Sequence, residues 1–376
     1  MRLAIGGFVV AVFTLGSGCA PKVCVPGTTL SCVGPGACAG AQACNTEGTG
    51  YTTCDCGGSG GGSGGSGGFG GSGGFGGSGG SGGSGGAKPH VMILLDKSGS
   101  MAAPIDAANP NCPAASCPGP SCPANCPTRI SELRAGLATF LTQYPTAARF
   151  GLTTYPVGAT CGAADTVRVT MAASDLNSEL QSKADAVRTA VQAIGITGSA
   201  APGSLDEVGG GTPTGPSLGF LNDHLPLQDT TRSNFVLLLT DGLPNCNASN
   251  SNTCTNPTAC KCTTTSCGTD LSAPFCVLGC LDQAGASSAV SALRGRNIRT
   301  IVVGFGSDTT SGDAPLVLND LANAGGFART CPNGTSAECG PGGSCDVPLR
   351  LCTRRYYQAA NANELSAALA DIAGKL

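Results

Sequence analysis

Two aliphatic runs in this chain end in an acid: VMILLD at 91–96 and NFVLLLTD at 234–241. Apolar residues in an unbroken row suit a strand covered on both faces, as in a parallel sheet between two helical layers. An aspartate closing such a strand stands at the carboxyl edge of the sheet, where open α/β sheets bind their ligands. The first run continues into Lys97-Ser98-Gly99-Ser100, so the edge also carries hydroxyls.

The pattern around these runs alternates strand and helix from Ala87 onward. Ile130, Leu133, Leu137, Phe140 and Leu141 form one helical stripe, with Thr128 as N-cap. FGLTTY (150–155) and TVRVTM (166–171) read as strands. Ser174 is the expected cap of a helix turning Leu176, Leu180, Val187, Val191 and Ile194 inward. Helices near 283–294 and 314–324, strands at 298–305 and 355–359, and a final helix from Asn363 carrying Leu365, Leu369, Ile372 and Leu376 complete the series. The expected fold class is α/β: a doubly wound, mostly parallel sheet with helices on both faces.

The amino-terminal part is of another kind. Met1-Arg2 and the short apolar stretch to Gly16 read as a signal peptide over 1–18. SGCAPK follows and is similar to the lipobox of bacterial lipoproteins, which implies lipidation of Cys19 and a membrane anchor; an ordinary cleaved signal is the alternative. Setting Cys19 aside leaves 22 of the 23 cysteines, a set that can pair completely. Cysteine at this density points to an oxidising compartment and disulfides. Residues 19–56 then form a small module with bridges among Cys24, Cys32, Cys38, Cys44, Cys54 and Cys56, because so short a segment buries little apolar surface. Residues 57–86, glycine and serine broken only by Phe69 and Phe75, read as a flexible tether with a reach of about 30 Å. The expected location is exported: an outer-membrane or cell-surface lipoprotein, otherwise secreted or periplasmic, Ala20 favouring the outer membrane. A net charge of −3 gives no electrostatic case for nucleic acid.

Between the two acid-ended strands lies GGGTPTGPSLGFL (209–221), with Thr212 in a glycine-rich turn and Pro216 suited to the first turn of a helix. If the two strands are neighbours, Asp96, Ser98, Ser100, Thr212 and Asp241 meet. They offer hydroxyl and carboxylate oxygens only, the donor set of a hard cation such as Mg²⁺, or of Mn²⁺ or Ca²⁺. The series D-x-S-G-S-M, G-T-P-T-G and T-D-G resembles von Willebrand factor A domains with a metal-ion-dependent adhesion site, over residues 87–376. The resemblance implies direct contacts from Ser98, Ser100 and Thr212, with Asp96 and Asp241 acting through water and hydrogen bonds. It also implies a coordination position filled by a partner's carboxylate, on a protein or a glycan. Lys97 is expected to point away, and Thr214 either assists Thr212 or closes the turn.

Three cysteine-rich insertions swell the domain, at 104–127, 246–280 and 331–352. The first two leave the carboxyl ends of strands and are expected on the metal face, as stapled loops or as walls that select the partner. Seven cysteines in the second make an odd set, so Cys161 is expected to pair into it. The third is expected to close on itself at the opposite edge. Neither His90 nor His224 neighbours a nucleophile or a ligand-like cluster, and the chain does not read as an enzyme. The expected function is a surface adhesion or protein-binding module. A stapled envelope protein whose metal only stabilises the fold is the alternative, and a metal-assisted hydrolase is the more remote one.

Overall fold

The computed structural model describes residues 29–34, 38–43, 45–46, 52, 87–106, 108–112, 125–158, 160–196, 206–247, 260–264, 267 and 278–376. The signal segment, Cys19, most of the cysteine-rich module and the Gly/Ser tract lie outside them. The chain divides into two units, 1–81 and 82–376. In the first, β1 (Thr29–Gly34) and β2 (Cys38–Ala43) form an antiparallel hairpin with Thr29 opposite Ala43.

The second unit is built on a six-stranded sheet. Its strands are β3 (His90–Asp96), β4 (Arg149–Tyr155), β5 (Val167–Val169), β6 (Asn234–Thr240), β7 (Ile298–Phe305) and, after a small hairpin of β8 (Cys345–Asp346) and β9 (Leu351–Cys352), β10 (Tyr357–Ala359). The order across the sheet is β10-β7-β6-β3-β4-β5, all parallel except β5, which runs antiparallel to β4.

Both faces are covered. Along β3, Val91, Ile93 and Leu95 pack with α1 (Arg129–Gln143), α2 (Asn177–Gln192) and α6 (Ala362–Ala373), while Met92 and Leu94 pack with α3 (Thr214–Asn222), α4 (Gln283–Gly295) and α5 (Ala314–Ala324). The period of two sends successive side chains to opposite layers, which is why the run has no polar position. Burying each Leu or Ile contributes about 1.5–3 kcal/mol. No helix among the described residues is long and apolar enough to cross a membrane.

Thr128 caps α1 as expected: its hydroxyl accepts from the Ser131 amide, and the Ser131 hydroxyl accepts from the Thr128 amide. The start of α2 differs from expectation. Leu176 holds the N-cap position and is 66% exposed, while Ser174 lies outside the helix. Glu179, in the first turn, takes the capping role instead, accepting from the amides of Ala173 and Ser174 and from the Ser174 hydroxyl. Leu180, Val187, Val191 and Ile194 are buried as the stripe requires. The last helix starts one residue earlier than read, with Asn361 accepting from the Glu364 amide.

The insertions are cross-linked where they are described. Cys112–Cys126 closes the first, and Cys260–Cys280 and Cys262–Cys267 lie within the second. Cys161 pairs with Cys246 at the start of the second insertion, as parity suggested. The third closes on itself through Cys331–Cys345 and Cys339–Cys352, at the amino end of edge strand β10.

Candidate metal centre

β3 and β6 are parallel neighbours in register, His90 opposite Asn234 and Leu95 opposite Leu239, so their carboxyl ends coincide. Asp96 ends β3. Its Oδ1 accepts from the Ser98 amide at 2.8 Å and its Oδ2 from the Thr240 hydroxyl at 2.7 Å. A 3₁₀ turn over Gly99–Ala102 then brings the Ser98 and Ser100 hydroxyl oxygens to 3.1 Å from each other. The Ser100 hydroxyl donates to Asp241 Oδ1 at 2.8 Å. The glycine turn joins from the other side, with the Gly99 amide donating to the Gly210 carbonyl and the Gly209 amide to the Lys97 carbonyl, both at 2.9 Å. Thr212 is clamped by Asn245: the Thr212 amide donates to Asn245 Oδ1 at 2.7 Å, and the Asn245 amide returns to the Thr212 carbonyl at 2.9 Å. Ser98, Ser100, Thr212 and Asp241 line one cleft of about 430 Å³, and Asp96 lies buried beneath it.

The charges under the cleft are out of the ordinary. Asp96 and Asp241 are both fully buried. Burial, and then the charge of Asp241, push the Asp96 carboxyl up to about 7. Burial also raises Asp241, against the pull of Arg129, whose Nη1 donates to Asp241 Oδ2 at 2.9 Å. Arg129 answers one of the two buried acids, and a bound cation would answer the other. The hydroxyls complete the fit. Oxygen ligands at about 2.0–2.1 Å in an octahedron stand roughly 3 Å apart along an edge, close to the 3.1 Å between Ser98 and Ser100 Oγ. The Ser100 proton is directed at Asp241, so Ser98 is the donor in the 3.1 Å contact and Ser100 keeps one further lone pair for an ion. The residues present therefore fit a hard divalent cation, which Ser98, Ser100 and Thr212 could hold with Asp96 and Asp241 behind them.

Lys97 turns elsewhere: its Nζ donates to the Pro156 carbonyl at 2.5 Å and the Glu207 carbonyl at 3.3 Å, and burial brings its ammonium down to about 8. Thr214 opens α3, its hydroxyl 3.3 Å from that of Tyr155 and 3.5 Å from the Thr212 carbonyl, so it closes the turn. His90 lies at the opposite end of β3, bonded to Asn234 at 3.1 Å. The second insertion does wall the cleft, through Cys262, Thr263 and Thr264. The described part of the first does not line it; its base instead seats Arg129, whose amide donates to the Ala103 carbonyl at 2.9 Å.

Four features escaped the sequence reading: Arg129, Asp308, Asn245 and the reason for three successive glycines. Gly210 has φ +83°, a conformation that only glycine adopts without strain, and a Cβ on Gly211 would stand 2.6 Å from Cys246 Sγ. Gly211→Ala should therefore displace the Cys161–Cys246 bridge or Thr212, weakening cation binding by roughly tenfold. Calorimetric titration with Mg²⁺ would check this, and unchanged affinity would mean that the turn has slack.

No family model matches the chain, and no curated protein matches it. Among solved structures, the chain is similar to the pilus adhesin SpaC from Lactobacillus rhamnosus GG, with 16% identity and a TM-score of 0.40 over 77% of this chain and 30% of that one. It is also similar to the manganese-loaded Plasmodium vivax TRAP protein, with 16% identity and a TM-score of 0.36 over 75% of this chain and 72% of that one. The SpRpn10 VWA domain matches at 12% identity and a TM-score of 0.27, over 63% of this chain and 94% of that one. The fold is a doubly wound, mostly parallel α/β sheet. Counted within the six-stranded sheet, the strand order is 3-2-1-4-5-6 with strand 3 antiparallel, and the segments carrying Ser98 and Ser100, Thr212, and Asp241 meet at its carboxyl edge.

Proposed function

We propose that this domain is a von Willebrand factor A-like binding module that captures an acidic group of a protein or glycan through a divalent cation, in an adhesion or protein-binding role. One observation carries the reading: Ser98, Ser100, Thr212 and Asp241, from three separate segments, line a single cleft above the buried Asp96. The ion, as Mg²⁺, Mn²⁺ or Ca²⁺, would supply an electrophilic position for a carboxylate oxygen. The protein's part is to keep that position hungry for charge. Neutral hydroxyls nearest the ion leave it poorly neutralised, and the acids behind them retain it and orient the hydroxyl protons. A binding module is favoured over an enzyme: the Ser100 hydroxyl does donate to Asp241, but that carboxylate is also held by Arg129 rather than free to take up a proton. As part of the same reading, the chain is exported and anchored through lipid on Cys19, at the outer membrane or cell surface. Mass spectrometry of the mature amino terminus tests that part.

The binding role is tested with immobilised peptides bearing a single glutamate, in Mg²⁺ and then in EDTA. Retention in Mg²⁺ and release by EDTA is the expected result. Binding indifferent to the chelator would overturn the reading. A large fall in melting temperature on chelation, with no peptide retained, would favour the stapled structural protein.

A further inference from the structure

Arg129 sits in the cleft with its guanidinium shared between two acids of different standing. Nη1 donates to the buried Asp241 at 2.9 Å, and Nη2 donates to Asp308 Oδ2 at 2.6 Å. The Arg129 side chain is 8% exposed whereas that of Asp308 is 62% exposed. Its Nε is buried without a hydrogen-bond partner. The inner pair belongs to the floor of the site, while the outer pair is a surface carboxylate lying on a desolvated cation. The neighbouring Asp313 pairs with Lys261 of the second insertion at 2.5 Å, a contact between side chains that are 35% and 59% exposed. Both acids come from one segment, the β7–α5 loop, and both line the cleft.

Resting on the acid-capturing reading above, we propose that Asp308 and Asp313 occupy the place of the partner's own acids. Arg129 is then the second anchoring point beside the cation, and the preferred partner is an acidic peptide segment with several carboxylates close together. The loop backbone is fixed independently of these two side chains. Thr309 is buried, and its hydroxyl lies 2.8 Å from both the Gly306 carbonyl and Gln358 Oε1, while the Tyr356 hydroxyl donates to the Thr309 carbonyl. Exchange therefore requires only that Asp308 and Asp313 rotate outward. Ion pairs with a solvent-exposed member are weak and screened by salt, so a partner acid can displace them. The charges also balance. With a divalent ion bound, Asp96, Asp241, Asp308 and Asp313 are matched by the ion, Arg129 and Lys261. Swinging the two rim acids away leaves a positive surplus that a multiply acidic segment satisfies and a single carboxylate does not.

The test compares the full chain with its Asp308→Asn/Asp313→Asn variant, both substitutions falling on the rim loop. A fluorescent hexaglutamate peptide and a peptide bearing one glutamate are titrated in Mg²⁺ and in EDTA. The expected result is that the variant binds hexaglutamate roughly three- to tenfold more tightly than the native chain in Mg²⁺, with a smaller gain for the single-glutamate peptide. Equal or weaker hexaglutamate binding by the variant, still dependent on Mg²⁺, overturns the stand-in role and leaves cation-dependent capture intact. Absence of Mg²⁺-dependent binding to either peptide by either protein overturns both.

Discussion

Asp96→Asn should weaken divalent-cation binding by about 10–100-fold, and it should raise the melting temperature of the metal-free protein at pH 8. The two effects share one cause. Asparagine keeps the shape: its side-chain oxygen still accepts from the Ser98 amide, and its amino group can donate to Thr240 Oγ1, whose proton then turns to the Gly242 carbonyl 3.3 Å away. What is lost is a buried negative charge. In the metal-free folded chain, burial and Asp241 hold the Asp96 carboxyl near 7, well above the ordinary carboxylate value of 3.8. Between those values the folded state binds more protons than the unfolded one. The contribution of Asp96 to stability is thus complete below the unfolded value and is lost as pH rises through the folded one. The variant titrates nothing there, so its advantage in EDTA should open between about pH 4 and pH 7 and be larger at pH 8 than at pH 5. With Mg²⁺ the variant's advantage should shrink, because the native chain gains more binding energy. Thermal melts of both proteins at the two pH values, with and without Mg²⁺, check all of this. A variant less stable than the native chain in EDTA at pH 8 would remove the electrostatic argument for the site.

Replacing Cys161 and Cys246 together by serine should cost the larger amount of stability. The bridge spans 85 residues, and closing a loop of that length restricts the unfolded chain by about 4–5 kcal/mol. For a domain of this size the fall in melting temperature should be roughly 10 °C. Cation affinity should drop as well, because the bridge packs on Gly211, next to Thr212, and Asn245, which clamps Thr212, immediately precedes Cys246. Denaturant and thermal unfolding in oxidising buffer, followed by Mg²⁺ titration of the folded variant, separate the two effects. A melting temperature within a degree or two of the native chain would show that the second insertion is secured without this bridge.

The parts of the molecule that were legible in the sequence are those set by local pattern. Unbroken apolar runs announce doubly covered strands, and the acids that end them fall at one edge because parallel neighbours start and stop together. Cys161 could be assigned to the second insertion by counting alone, since seven cysteines cannot all pair among themselves. Arg129 could not be read in this way. It is the first residue of a helix, and its meaning comes from Asp241 and Asp308, 112 and 179 positions away. Ser174 and Leu176 misled for a related reason. Serine before an apolar stripe is a good cap signal, but Glu179 bonded back to Ala173 and Ser174 and moved the helix start past Leu176. The glycine turn announced itself as a turn, while the need for Gly211 depends on a disulfide between two other segments.

The most direct measurement is the anomalous diffraction of crystals grown with Mn²⁺. The account predicts one strong peak about 2.1 Å from Ser98 Oγ, Ser100 Oγ and the Thr212 hydroxyl, with Asp96 and Asp241 behind it and one face open to the cleft. A saturating soak that leaves this position empty, or that places manganese only on the rim acids Asp308 and Asp313, would contradict it.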